Sequence, residues 1–339
     1  MKLNRKISYI LLFFIIISFT SCKTNNNKDL IKIRLNEVTR SVFYSPLYVA
    51  INNGFFKEEG LEIELSTGQG ADKTMQQVLS KNADIGFCGP EQCVYIYNQG
   101  KEDYGVVFAQ LTQKDGSFLV GRNNDEKFNW SSLKGKTIIG GRPGGMPQMN
   151  LEYALKTHDL DPSKDVEIIT NLALNATSGA FKSGTADYVT LFEPNATVLE
   201  ETGSGKILAS VGEAAGNVPY TCFFATKSYI EENADIIEKF TNAIYKGQIW
   251  IQEHSNEEIS KCISSFFPGI EISTITNVIT NYKKINALSK TPKIKEEDYN
   301  RMLDIIETSN PNLLPNRPPF EEIINTSFSE KTIKNIKNN

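Results

Sequence analysis

The stretch IKIRLNEVTRSVFYSPLYVAINNGFFKEEGLEIEL, residues 31–65, reads as a complete strand–helix–strand unit. Ile31, Ile33 and Leu35 alternate with charged residues, the period-two pattern of a half-buried strand. Ser45-Pro46 marks a helix start, with a hydroxyl to cap it and proline in the first turn. The helix stops at Gly54, one more turn ends at Gly60, and Leu61, Ile63 and Leu65 resume the alternation. Outward from here the pattern repeats. Strands are expected over residues 83–87 and 105–110, with a helix after the Gly68-Gln69-Gly70 turn that carries Met75, Val78 and Leu79 on one face, and another over 90–98. A second series starts at 137–140 and continues through strands at 166–170, 188–191 and 207–211, again separated by helices. The strand at 207–211 closes this series, and from 222–226 onward the chain turns mainly helical, with Tyr229, Ile236, Ile237, Phe240, Ile244 and Ile251 on one side of a long helix. Alternation of this kind predicts an α/β fold. Two series and a helical return predict two lobes, residues 31–115 with 222–335 and residues 116–221, joined by two crossings at 113–120 and 218–224. Ligands in such folds sit beyond the carboxyl ends of the strands, so a cleft between the lobes is expected.

Composition narrows the function. The 339 residues include 36 Lys+Arg and 40 Asp+Glu, a formal charge of −4, with 40% apolar residues. A basic excess able to neutralise phosphates is missing, which argues against nucleic acid as partner. The two histidines, His158 and His254, stand far apart in no ligand spacing, so neither a histidine metal site nor a Ser–His relay is expected. Cys88, Cys93, Cys222 and Cys262 show no metal-knuckle spacing and read as free thiols. No cofactor motif is present: the glycine-rich run 140–145 lacks the Gly-Lys-Ser/Thr ending of a nucleotide-binding P-loop.

Lys2, Arg5 and Lys6 precede an apolar run over residues 7–19 that ends Phe19-Thr20-Ser21-Cys22. A charged start, a short apolar centre and small residues form an export signal, and the run is short for a membrane span. Residues 1–21 are read as a signal peptide. The Ser21-Cys22 junction resembles the lipobox of bacterial lipoproteins, which implies lipidation of Cys22 and a flexible tether over 22–30. The expected location is the outer face of the bacterial cytoplasmic membrane, or the periplasm.

Four motifs in order, Tyr44-Ser45-Pro46-Leu47-Tyr48-Val49-Ala50, then Gly54-Phe55-Phe56-Lys57-Glu58-Glu59-Gly60-Leu61, then Ala83-Asp84-Ile85-Gly86, then Gly184-Thr185-Ala186-Asp187 before Phe192-Glu193-Pro194, resemble the SsuA/THI5-like (NMT1) group of solute-binding proteins. The resemblance implies a two-lobed, periplasmic-binding-protein-like type II fold. It also implies a monomeric receptor that captures a small molecule and delivers it to the permease of an ABC importer. A receptor feeding a sensor is the alternative partner. A branch of this fold makes the thiamine pyrimidine enzymatically with pyridoxal phosphate and a cysteine-rich motif; this sequence has no such cluster, so no enzyme is expected.

Candidate ligand residues follow from position after strands. Phe43 and Tyr44 can stack on a planar ligand. Gln69 in the Gly68-Gln69-Gly70 turn, and Gly89 and Glu91 after the third strand, lie where backbone and first helical turns approach the cleft. Arg142, Gly144 and Gly145 form a turn expected to offer free amides and a cation to an anion. Glu193 can initiate a helix or accept from an amino group, and Tyr220 lies in the second crossing. Tyr44 with Glu193 suits a small heteroaromatic such as a thiamine pyrimidine precursor; Arg142 with the glycine loop suits a sulfonate or similar oxyanion.

Overall fold

A computed structural model describes residues 30–122, 128–173 and 175–337. The leader and Cys22 lie outside the described residues. The first strand, β1 (Ile31–Glu37), is followed by helices α1 (Ser45–Asn52) and α2 (Phe55–Glu58), β2 (Leu61–Thr67), α3 (Ala71–Leu79), β3 (Ile85–Cys88), α4 (Glu91–Asn98) and β4 (Gly105–Thr112). The second series is β5 (Ser117–Gly121), β6 (Thr137–Ile139), α5 (Met146–Thr157), β7 (Glu167–Ile169), α6 (Thr177–Lys182), β8 (Tyr188–Phe192), α7 (Asn195–Glu201), β9 (Lys206–Ser210) and α8 (Val211–Ala215). The return is β10 (Thr221–Thr226), then α9 (Lys227–Glu232), α10 (Ala234–Glu253), α11 (Asn256–Ile263), α12 (Ile272–Lys284), α13 (Glu296–Ser309), α14 (Phe320–Ile323) and α15 (Ser327–Lys337).

The strands form two five-stranded sheets, in the orders β2-β1-β3-β10-β4 and β7-β6-β8-β5-β9. In the first, β1 runs parallel to β2 with Ile31 opposite Leu61 and Glu37 opposite Thr67, and parallel to β3. Here β10 is antiparallel to both neighbours. The second sheet repeats the plan, with β6 parallel to β7 and β8, and β5 antiparallel to β8 and β9. Each crossing therefore delivers an antiparallel strand into the sheet it enters. The two free crossing segments shrink to residues 113–116 and 216–220, because Ser117–Gly121 and Thr221–Thr226 are strand and not linker as expected. They are tied together: Val218 donates its amide to the Gln113 carbonyl at 3.1 Å, and Tyr220 to the Thr112 carbonyl at 3.1 Å.

Local chemistry departs from expectation at the first helix. Ser45 is already helical, and its hydroxyl donates back to the Val42 carbonyl at 2.8 Å. The capping role falls to Ser41, whose Oγ accepts the Phe43 amide of a 3-10 turn over Val42–Tyr44. That turn aims Phe43 and Tyr44 ahead of α1. On the other side α1 packs against α10 so closely that a Cβ on Gly247 would lie 2.3 Å from the Pro46 carbonyl oxygen. Only glycine allows that approach. The core beneath the first sheet is aromatic, with Phe87 and Phe223 stacked at 4.3 Å and Phe240 edge-on to Phe223. The C-terminal helices also reach the second series: Lys156 of α5 donates to the Thr308 carbonyl of α13 at 2.6 Å.

Candidate functional site

The loops after β1, β2, β3, β6 and β8 and the second crossing converge on one cavity of about 260 Å³. All five strands belong to the parallel parts of the two sheets and present their carboxyl ends, the position where open α/β sheets bind ligands. The volume lies just under the range of about 300–1,000 Å³ usual for ligand pockets, so the cavity suits a small molecule.

One wall is aromatic. Phe43, Tyr44 and Tyr220 line the cavity. Phe43 stacks on Tyr282 of α12 at 4.4 Å and lies 5.9 Å from Tyr44, while Tyr44 meets Phe87 edge-on at 4.6 Å. A Cβ on Gly116, in the first crossing, would sit 2.5 Å from the Phe43 ring. Phe43 is thus wedged between the first crossing and α12. Burial pushes the Tyr44 and Tyr220 hydroxyls well above the usual phenol range, so both stay neutral. Beside Tyr220, Asp115 is fully buried and its carboxyl is pushed up to about 6 by that burial.

The loop after β3 supplies Gly89 and Glu91. Glu91 opens α4 and is 2% exposed. Its Oε1 accepts from Gln92 at 3.3 Å, whereas Oε2 has no partner among the described residues. Burial pushes this carboxyl up to about 7, against the smaller pull of hydrogen bonds from Gln92 and its own amide. The loop after β8 supplies the second acid, Glu193, which is 3% exposed. Its oxygens are engaged: Thr197 donates through its amide at 2.8 Å and its hydroxyl at 2.8 Å, and Asn281 of α12 donates at 2.7 Å. Burial raises this carboxyl too, and these three hydrogen bonds oppose the rise. Glu193 therefore caps α7 and ties it to α12.

Four expected ligand residues fall outside the cavity lining. Gln69 is exposed in a turn with φ +60. Arg142 is exposed and pairs with Asp72 at 3.0 Å. Gly144 takes φ +74 and accepts the Tyr95 hydroxyl on its carbonyl at 3.1 Å. The Gly145 amide is used inside the turn by the Arg142 carbonyl, and those of Gly140 and Gly141 by Ile169 and Gln148. These three amides are occupied because the turn folds back on α5 and β7. What it presents to the cavity is Met146 and Pro147. Conversely, the lining contains Arg40, which the sequence reading passed over. Arg40 is held by Glu37 at 2.6 Å and lies 5.2 Å over the Phe266 ring. Its position just after β1 was the available signal.

Cys88, Cys93, Cys222 and Cys262 are free, three of them buried. Among the described residues no cluster of His, Cys, Asp and Glu side chains could hold a metal, and no helix is long and apolar enough to cross a membrane.

Residues 43–258 match the model of the family described as NMT1/THI5 like. The chain belongs to that family. It is 44% identical over 318 residues, 94% of each chain, to the candidate binding protein YtlA of Bacillus subtilis strain 168. It is 25% identical over 265 residues, 76% of this chain and 78% of the other, to the formylaminopyrimidine-binding protein of Halalkalibacterium halodurans. In structure it is similar to the periplasmic aliphatic sulphonate binding protein SsuA of Escherichia coli, with a TM-score of 0.71 at 14% identity, covering 87% of this chain and 97% of that one. The fold is that of the periplasmic binding proteins, with a helical C-terminal region. As a member of this family the chain is a solute-binding protein of the ABC-importer type, acting on a small molecule with a permease as partner.

Proposed function

We propose that this receptor captures a small heteroaromatic compound, of the class of thiamine pyrimidine precursors, and hands it to an ABC permease. The observation that carries the reading is the cluster of Phe43, Tyr44 and Tyr220 in the lining of a small cavity that Met146, Pro147 and Leu191 also line. Flat faces of this kind favour a planar ring, each aromatic pair adding about 0.5–1.5 kcal/mol beyond area burial. The name of the Halalkalibacterium relative points the same way. Less favours the oxyanion alternative: the Gly140, Gly141 and Gly145 amides are engaged, and Arg142 and Arg40 are already paired. The role is binding without catalysis, on a monomer. Two lobes, residues 31–115 with 222–335 and residues 116–221, would close over the ligand about the paired crossings.

Native mass spectrometry of the chain purified from its own host tests this. A retained aromatic nitrogen heterocycle is expected; a retained alkanesulfonate or nitrate would overturn the reading. We further propose export and acylation at Cys22, on the strength of the charged, apolar leader and the Ser21-Cys22 junction. Cys22→Ala should move the mature chain from the membrane to the soluble fraction, and a variant that stays membrane-bound would count against lipidation.

A further inference from the structure

Glu91 is set apart from every other polar group of the cavity by three observations. It is almost wholly buried and lines the cavity. Its Oε2 has no hydrogen-bond partner among the described residues. Finally, the backbone is kept clear for it: a Cβ on Gly89 would come within 2.0 Å of Oε2. Native structures rarely bury an acceptor unpaired, because the lost hydration is not replaced. The neighbours that sense its charge do not replace it. They are the thiols of Cys88, Cys93 and Cys222 and the phenols of Tyr44, Tyr95 and Tyr220, all groups that burial holds neutral. Arg40 shares the lining, but its guanidinium is bound to Glu37.

A cavity-lining carboxylate with one oxygen left unpaired is complementary to a donor that arrives with the ligand. Resting on the heteroaromatic reading above, we propose that Glu91 is the specificity-determining acceptor of this site. Its Oε2 takes a hydrogen bond from an N–H on the ring edge, an exocyclic amine or a protonated ring nitrogen, while the aromatic wall holds the ring face. The same group rejects oxyanions. It places a carboxylate over the first turn of α4, where an anion would otherwise find the positive end of the helix. Sites built to pair with a donor discriminate strongly against analogues lacking it, since the buried partner is then left unsatisfied.

Calorimetric titration of the ligand-stripped full chain tests this with three probes: 4-amino-2-methylpyrimidine, 2,4-dimethylpyrimidine, which has methyl in place of the amine, and ethanesulfonate. The wild-type chain should prefer the amine over its methyl analogue by about ten- to a hundredfold. Glu91→Leu should abolish that preference and Glu91→Gln should reduce it at least about threefold. Thermal melts establish that each variant folds, and Glu91→Gln, which keeps the shape, carries the test if Glu91→Leu does not. A preference that survives in the folded variants, or wild-type binding of both pyrimidines alike, overturns the Glu91 assignment and leaves the heteroaromatic reading standing. Failure of the wild-type chain to bind either pyrimidine, or tighter binding of ethanesulfonate, overturns that reading and this inference with it.

Discussion

Two loops of this molecule carry the same signal, an acid placed where a strand gives way to a helix, and they use it in opposite ways. After β8, Glu193 receives three hydrogen bonds from Thr197 and Asn281 and fixes α7 against α12. After β3, Glu91 lines the cavity and is as deeply buried, yet one of its oxygens has no hydrogen-bond partner among the described residues. One acid holds the structure together; the other leaves a buried oxygen without a partner. Unsatisfied buried groups of this kind concentrate at functional sites, where the missing partner is supplied from outside.

Stability should separate the two, most sharply at Glu91. Its carboxyl is raised from 4.5 in the unfolded chain to about 7 in the fold. Between those values the folded chain keeps a proton that the unfolded chain releases, so stability falls as pH rises through the window. At about 1.4 kcal/mol per pKa unit the full penalty above pH 7 is about 3 kcal/mol. Glu91→Gln should therefore melt higher than wild type at pH 8, with the gain shrinking toward zero near pH 4.5. Asp115 and Glu193 are raised by burial too, so the difference between Glu91→Gln and wild type, not the slope of either alone, reports on Glu91. A variant no more stable than wild type at pH 8 would mean that Oε2 is satisfied after all.

Glu193→Ala should do the reverse. It removes the acceptor of the Thr197 amide and hydroxyl and of Asn281, leaving buried donors unpaired. Loss of a cap and of buried partners costs about 2 kcal/mol. Chemical denaturation should show that loss at neutral pH. If Glu193→Ala proved neutral to stability while abolishing ligand binding, the roles of the two acids would have to be exchanged.

The sequence made the position of both acids legible, but not their difference. Strand–helix alternation placed each after a strand that ends at the cleft, and order alone was enough for that. Which acid is free depends on Asn281, 88 residues from Glu193, and on the engagement of Thr197, neither of which leaves a mark in local pattern. The same holds for β5. Ser117–Gly121 is buried at every residue, so it lacks the alternation that identifies a half-exposed strand and reads as a linker. The glycine run 140–145 shows the same limit from the other direction. Glycines permit free amides, but only the fold shows whether other groups take them.

The smallest expected effect is at Arg142, and it tests the comparison from the anion side. The guanidinium pairs with Asp72 across two exposed side chains, outside the cavity lining. Exposed pairs contribute about 0–1 kcal/mol, because water screens the attraction and ordering two long side chains costs entropy. Arg142→Ala should therefore shift the melting temperature barely, and less still at high salt. It should change the affinity of the aminopyrimidine probe by less than about twofold, since no cavity group is touched. A loss of tenfold or more would place Arg142 at the ligand, which requires the turn at 140–145 to open toward the cleft. In that case the charge that selects the ligand would be positive, and Glu91 would be the residue left without a role.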